Sequence, residues 1–208
     1  MRPRLIETIR VDADGRMPLL PWHLERLGRS CAELAYRSSV EAVQRAVARA
    51  AAGLPEGGAH RMRVLVADNG AIEIQTSPLD TLPQRPRASL SHRRLRSGET
   101  LLRHKTTARP WYDEATTWLA AHPEHFDMLY LNERGELCEG SRSNVYVYLD
   151  GQWITPPVSC GLLPGVQRQA LLDEELAVEG VITREMLAQA QGLRLSNALR
   201  GWFDVELD

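Results

Sequence analysis

The sequence predicts a mixed α/β chain in two parts: a small N-terminal unit of antiparallel strands with two helices, then a longer, strand-rich remainder. Three observations carry this. "HRMRVLVADNGAIEIQTSPL" is two alternating runs about Asn69-Gly70, the pattern of a hairpin with a tight turn. Upstream, two stretches place apolar residues at helical spacing. "DTLPQRPR" (80–87), rich in proline and polar residues, reads as a junction.

In chain order, "LIETIRVD" reads as a strand, "ADGR" as a turn and "MPLL" as a return strand. "PWHLERLGRSCAELAY" carries Leu24, Leu27, Cys31 and Leu34 on one helical face after a leading proline. "SVEAVQRAVARAAAGL" is a second amphipathic helix, capped by Ser38 or Ser39 and closed near Gly53. After the junction come a strand around 88–95, a basic segment with a lysine, and a helix near 110–121. "FDMLYLNERGELCEGSRSNVYVYLDGQWITPP" is a strand series punctuated by turn residues. "LLPGVQRQALLDEELA" is a helix with Pro and Gly at its mouth. "VEGVITREMLAQA" gives a short strand and a helix, and "GLRLSNALRGWFDVEL" gives closing strands.

Bulk properties bound the function. At 208 residues, 43% hydrophobic and 25% charged, the chain has the make-up of a globular protein with a real core. Its 27 carboxylates balance its basic residues to a net charge of −2, which argues against nucleic acid as a partner. "HRRLRSGETLLRH" (92–104) is locally basic and reads as a solvated strand or loop, or as an attractor of an anionic ligand. Cys31, Cys138 and Cys160 are widely spaced without a CxxC, so neither a disulfide framework nor a zinc site is expected. No apolar run approaches membrane-spanning length and no hydrophobic signal core opens the chain, so no membrane partner and a cytoplasmic location are expected.

Lys105 is the only lysine; the other 24 basic residues are arginine. Arginine stays protonated, whereas a lysine amine can lose its proton and attack a carbonyl to form a Schiff base. Codon bias with one accidental survivor explains the lone lysine equally well, so other segments must decide. "EGSRSN" puts Glu139 at a strand end. "SCGLLPGVQRQ" runs a glycine-containing loop into a helix whose N–H groups at Gly165, Val166 and Gln167 could face a phosphate. "SNALRG" (196–201) offers further donors, and "HLERL" sets His23 and Arg26 one turn apart, where Arg26 could hold an anion bidentately. Each alone also reads as a turn, a helix start, a plain loop or a surface arginine. Together, an amine, a carboxylate and several phosphate-binding elements are what pyridoxal 5′-phosphate requires, since its ring nitrogen needs an acidic partner to act as an electron sink.

With "HLERL", "HKTTARPWYDEA", "LYLNERGELCEGSRSNVYV", "TPPVSCGLLPGVQRQALL" and "LSNALRGW" in this order and spacing, the chain resembles the fold-type IV pyridoxal-phosphate family. That family holds branched-chain and D-amino-acid aminotransferases and aminodeoxychorismate lyase, and the lyase branch is the nearest likeness. The resemblance implies a two-domain α/β fold like that of D-amino-acid aminotransferase. A small domain (1–82), a linker (83–87) and a larger cofactor-binding domain (88–208) would hold the cofactor in the cleft between them. It implies Lys105 as Schiff-base lysine and proton shuttle, Glu139 as partner of the pyridine nitrogen, and Arg26 as a phosphate ligand. Val166, Gln167, Asn197 and Ala198 would make the remaining phosphate and substrate contacts, with Asn144 near the cofactor and Thr8 and Arg109 toward substrate. A homodimer is implied, with no metal. The expected reaction is elimination of pyruvate from 4-amino-4-deoxychorismate to leave 4-aminobenzoate, a folate precursor; amino transfer from a branched-chain or D-amino acid is the alternative.

This chain also departs from the family pattern. Members usually carry a strand and a "YGDGxFE"-like turn ahead of the piece seen here as "IETIRV", so a truncated small domain is expected. The "RGxGxRGY"-like loop is reduced to "RMRVLVADNG", Ala108 stands where an Asn is common, and Gln167 where a Thr is frequent. These changes bear on the substrate pocket more than on the cofactor site. Arg61, Arg63 and Arg103 are further candidates for anion contacts.

Overall fold

A computed structural model describes residues 2–82 and 84–208; Pro83, the first residue of the expected linker, lies outside the described residues. The chain divides into two compact units, Met1–Thr81 with His104–Ala108, and Leu82–Arg103 with Arg109–Asp208. The five-residue return to the first unit carries Lys105.

The first unit is a three-stranded antiparallel sheet in the order β1 (Leu5–Val11), β2 (His60–Val66), β3 (Ile72–Pro78), packed by α1 (Leu20–Glu33) and α2 (Val40–Ala52). Leu5, Ile9 and Val11 alternate onto the face that buries Leu27, Cys31, Val43, Val47, Met62, Val64 and Val66. Ser39 caps α2, its hydroxyl accepting from Ala42 N at 3.1 Å. The β2–β3 turn has Gly70 at φ +87°, where a side chain would be strained and a Cβ would strike the Arg37 carbonyl. "MPLL" is not a return strand. Its first residues turn, with Leu20 N donating to Met17 O at 3.0 Å, and the chain enters α1 with Pro21 at its mouth. Two prolines in four residues remove ladder donors, while Pro21 costs nothing in a first helical turn.

The second unit holds two sheets. One has the order β12 (Glu206–Leu207), β4 (Arg87–Leu95), β5 (His125–Asn132), β6 (Leu137–Gly140). The other runs β11 (Gly201–Asp204), β10 (Gly192–Asn197), β7 (Asn144–Leu149), β8 (Gln152–Thr155), β9 (Val178–Glu179). A core of Leu129, Leu131, Leu137, Val145, Val147, Ile182 and Leu195 lies among them. The helix expected near 110–121 begins as a 3-10 turn, Pro110–Tyr112, before α3 (Asp113–Ala121). The helix at "LLPGVQRQ" is α4 (Val166–Asp173), shorter than the apolar pattern suggests. Its end coincides with Asp173-Glu174-Glu175, three carboxylates at the negative pole of the helix, and Glu175 turns left-handed at φ +56°. A short α5 (Arg184–Gln189) completes the helices.

Candidate active site

In the first unit the lysine segment lies along the free edge of β1. Ile6 N donates to the Lys105 carbonyl at 2.7 Å, Thr107 N to Arg4 O at 2.9 Å, and Arg4 N to Thr107 Oγ1 at 2.9 Å. On the other side His104 is buried, with Nδ1 3.0 Å from Ser30 Oγ and Nε2 3.4 Å from Glu33, both on α1. The backbone of Lys105 is thus fixed from both directions, and its side chain is half-buried.

Beside it stands a polar cluster inside an apolar core. Glu7 falls on the inward face of β1 with Leu5 and Ile9, and Arg26 and His23 reach it from α1. Arg26 grips both oxygens, Nε to Oε1 at 3.0 Å and Nη2 to Oε2 at 2.5 Å, and His23 Nδ1 is 2.6 Å from Oε2. Burial alone would push the Glu7 carboxyl up, but the Arg26 charge and the bonds from His23 and Arg26 hold it at about 2. Burial lowers the His23 pKa; Glu7 opposes that, and the charges of Arg26 and Lys105 reinforce it. An ionised carboxylate only accepts, so the His23 proton sits on Nδ1. Nε2 is buried with no hydrogen-bond partner among the described residues.

The second unit assembles a different set. Glu139, on β6, is 3% exposed, and Tyr112 donates its O–H to Oε1 at 2.6 Å. Arg109 lies over the Tyr112 ring, 4.5 Å from its centroid. The Gly140–Ser143 turn that follows Glu139 is drawn onto buried Asp127, which accepts from Ser141 Oγ and Ser143 Oγ and from the backbone N–H of Arg142. The turn ends at Asn144, whose Nδ2 donates to Leu163 O at 2.9 Å. Its Oδ1 lies so close to Gly165 that a Cβ there would collide with it. Gly165 precedes Val166, the first residue of α4, so Asn144 sets the approach to that helix mouth. Asn197 closes its own turn, Oδ1 accepting from Leu199 N at 3.1 Å and Arg200 N at 3.0 Å, while Nδ2 reaches Arg142 O at 3.3 Å.

The expected residues therefore fall into groups. Lys105 and Arg26 share the first unit with Thr8, half-buried on β1 opposite Arg63. Glu139 and Arg109 meet at Tyr112; Asn144, Val166 and half-buried Gln167 gather at the mouth of α4; Asn197 ends β10 and Ala198 opens the turn after it. Arg103 is exposed, and Arg61 and Arg63 are half-buried on β2. Sequence reasoning passed over Glu7, Tyr112 and Asp127. Glu7 had a signal, a charge at an inward position of an alternating strand. For Tyr112 no local pattern points to a partner 27 residues away.

Among the described residues no helix is long and apolar enough to cross a membrane, and no group of three or more His, Cys, Asp or Glu could hold a metal ion.

The chain belongs to the class IV amino-transferase family, which it matches over residues 4–207. It is similar to a candidate aminodeoxychorismate lyase of Schizosaccharomyces pombe, 30% identical over 193 residues that span 90% of this chain and 83% of that protein. Its fold is similar to the crystal structure of a candidate amino-acid aminotransferase from Mesorhizobium loti, 35% identical, with all of both chains covered and a TM-score of 0.91. The 4-amino-4-deoxychorismate lyase of Pseudomonas aeruginosa shares the fold at 24% identity, with 99% of this chain and 83% of that one covered and a TM-score of 0.79. The expected family and its mixed α/β architecture are borne out.

Proposed function

We propose that this protein is a pyridoxal 5′-phosphate-dependent 4-amino-4-deoxychorismate lyase that forms 4-aminobenzoate and pyruvate. The observation that carries the reading is the 30% identity with a candidate lyase along nearly the whole chain. The donor set supports the cofactor. The orphaned Nε2 of buried His23, near the positive charges of Arg26 and Lys105, suits a phosphate. Such a group either donates its own O–H to the ring or, as a dianion, raises the ring's pKa until Nε2 carries a proton. The backbone N–H groups at the mouth of α4 are further anion donors.

Bound there, the cofactor supplies an aldehyde that condenses with an amine and a ring that holds an electron pair. Lys105 would hold it through its amine, and that same amine would take the proton from the substrate carbon bearing nitrogen. The neighbouring carbon–oxygen bond then breaks, the departing enolate of pyruvate takes up the proton that Lys105 had removed, and the substrate ring becomes aromatic. Glu139 keeps the pyridine nitrogen protonated through its carboxylate. Arg26, Val166 and Gln167 hold the phosphate, Asn197 and Ala198 complete the phosphate and substrate contacts, Asn144 lies near the cofactor, and Thr8 and Arg109 lie toward the substrate side. The active form is a homodimer.

The likeness to a candidate amino-acid aminotransferase, at 35% identity, favours amino transfer as the second reading. The experiment supplies the protein with cofactor and enzymatically made aminodeoxychorismate. Expected are 4-aminobenzoate and pyruvate in equal amounts, lost by roughly a thousandfold or more in Lys105→Arg, which keeps the charge and removes the nucleophile. Transfer of an amino group to 2-oxoglutarate without those products would install the second reading.

A further inference from the structure

Tyr112 has no role in the reaction as set out above, yet its hydroxyl is committed to Glu139. The ring is 4% exposed and held on its flanks by edge-to-face packing with Tyr130, centroids 5.1 Å apart, and with Trp111 at 6.0 Å. The Arg109 guanidinium lies over it at 4.5 Å. A ring held this way cannot swing its hydroxyl elsewhere, so the 2.6 Å bond to Oε1 restrains the Glu139 carboxylate. Burial, and then the charge of Glu139, push the phenol well above its ordinary pKa, so at neutral pH it is a donor. A phenol brings no positive charge. It therefore orients the carboxylate without neutralising it, whereas a guanidinium in the same place would compete for its charge.

We propose that Tyr112 is a positioning residue for Glu139: its O–H fixes one carboxylate oxygen so that Glu139 meets the cofactor's ring nitrogen as an oriented anion, and Arg109 holds the phenol in place. The proposal rests on the role given to Glu139 above.

The test is a double-mutant cycle on four proteins: wild type, Tyr112→Phe, Glu139→Gln and the double variant. Each is freed of cofactor and titrated with pyridoxal 5′-phosphate by quenching of tryptophan fluorescence, and kcat and KM are measured on the loaded forms. A hydrogen bond to an ionised acceptor is roughly twice as strong as a neutral one. Tyr112→Phe should therefore weaken cofactor binding about fivefold to tenfold when Glu139 is present, and less than about twofold in the Glu139→Gln background. With Glu139 intact, kcat should fall with KM nearly unchanged, because substrate contacts are untouched. Equal losses in both backgrounds, or no loss in either, overturn the assignment of Tyr112 and leave Glu139's role standing. Wild-type protein that takes up no cofactor overturns the cofactor reading itself, and the proposal with it.

Discussion

Glu7 and Asp127 are both buried carboxylates on strands, one in each unit, and they are satisfied by opposite means. Glu7 is met by a guanidinium and an imidazole. Asp127 is met by neutral donors: Ser141 and Ser143 hydroxyls and the backbone N–H groups of Met128 and Arg142. Tyr112 treats Glu139 in the same neutral way. The two styles differ in whether the donors bring charge. At Glu7 a partner carries charge of its own: the Arg26 guanidinium neutralises the carboxylate where it sits. At Asp127, and in the Tyr112 bond to Glu139, these donors fix geometry and bring no charge of their own.

The sharpest way to break the comparison is Glu7→Gln. Removing the carboxylate leaves the Arg26 charge buried without it, and depression of the Glu7 pKa from 4.5 to about 2 corresponds to a loss of about 3 kcal/mol. Urea unfolding at pH 7 measures it. Acid sharpens the point. Glu7's folded pKa lies below its ordinary value, so its contribution is complete above about pH 4.5 and drains away toward pH 2. His23 is also depressed from 6.5, so as pH falls below that value the unfolded chain takes up a proton that the folded one refuses, and stability declines there too. Wild type should therefore lose stability progressively below pH 6.5, and Glu7→Gln should show a flatter profile below pH 4.5. Identical profiles would show that the charge pairing of Glu7 does not govern this unit.

Asp127→Asn should cost less, about 2 kcal/mol by the same urea measurement. The amide keeps one acceptor but turns the other oxygen into a donor facing Ser143 Oγ–H or Arg142 N–H, so one bond becomes a clash of hydrogens. Since the turn it organises joins Glu139 to Asn144, cofactor affinity should fall together with stability. Loss of stability with unchanged affinity would separate Asp127 from the site.

How far this arrangement was legible in the sequence follows from the range of each interaction. Asn69-Gly70, the Ser39 cap and the two amphipathic helices are set by residues within a few positions of one another, and the structure forms them where the pattern puts them. "MPLL" misled because a short apolar run after a turn cannot outweigh proline's missing donors. The lone lysine marked its own segment by composition, and helix-mouth glycines marked α4. What makes those residues a site is long-range: Asn144 reaches Leu163, and Tyr112 reaches Glu139. No local spacing encodes such pairings, and a short polar residue bound to a distant backbone carbonyl reads in sequence like any loop residue.

Asn144→Ala carries the smallest expected effect and tests the finest part of the comparison, the use of neutral donors in the second unit. Asn144 spends its amide hydrogen on Leu163 O, two residues before the glycine that opens the path into α4. Deleting the side chain removes one neutral hydrogen bond, worth about 1 kcal/mol, and frees the space beside Gly165. Asn144→Asp should be worse than alanine despite its closer shape. It fills the same space, but a carboxylate cannot donate to Leu163 O and would set two acceptors face to face in a buried position. If phosphate binding depends on the path into α4, inorganic phosphate, titrated as a competitor of the cofactor, should bind the wild type most tightly, then Asn144→Ala, then Asn144→Asp. An aspartate variant that matches the wild type would mean the helix mouth holds its shape without this neutral bond, and the contrast between the units would then rest on Asp127 and Glu139 alone.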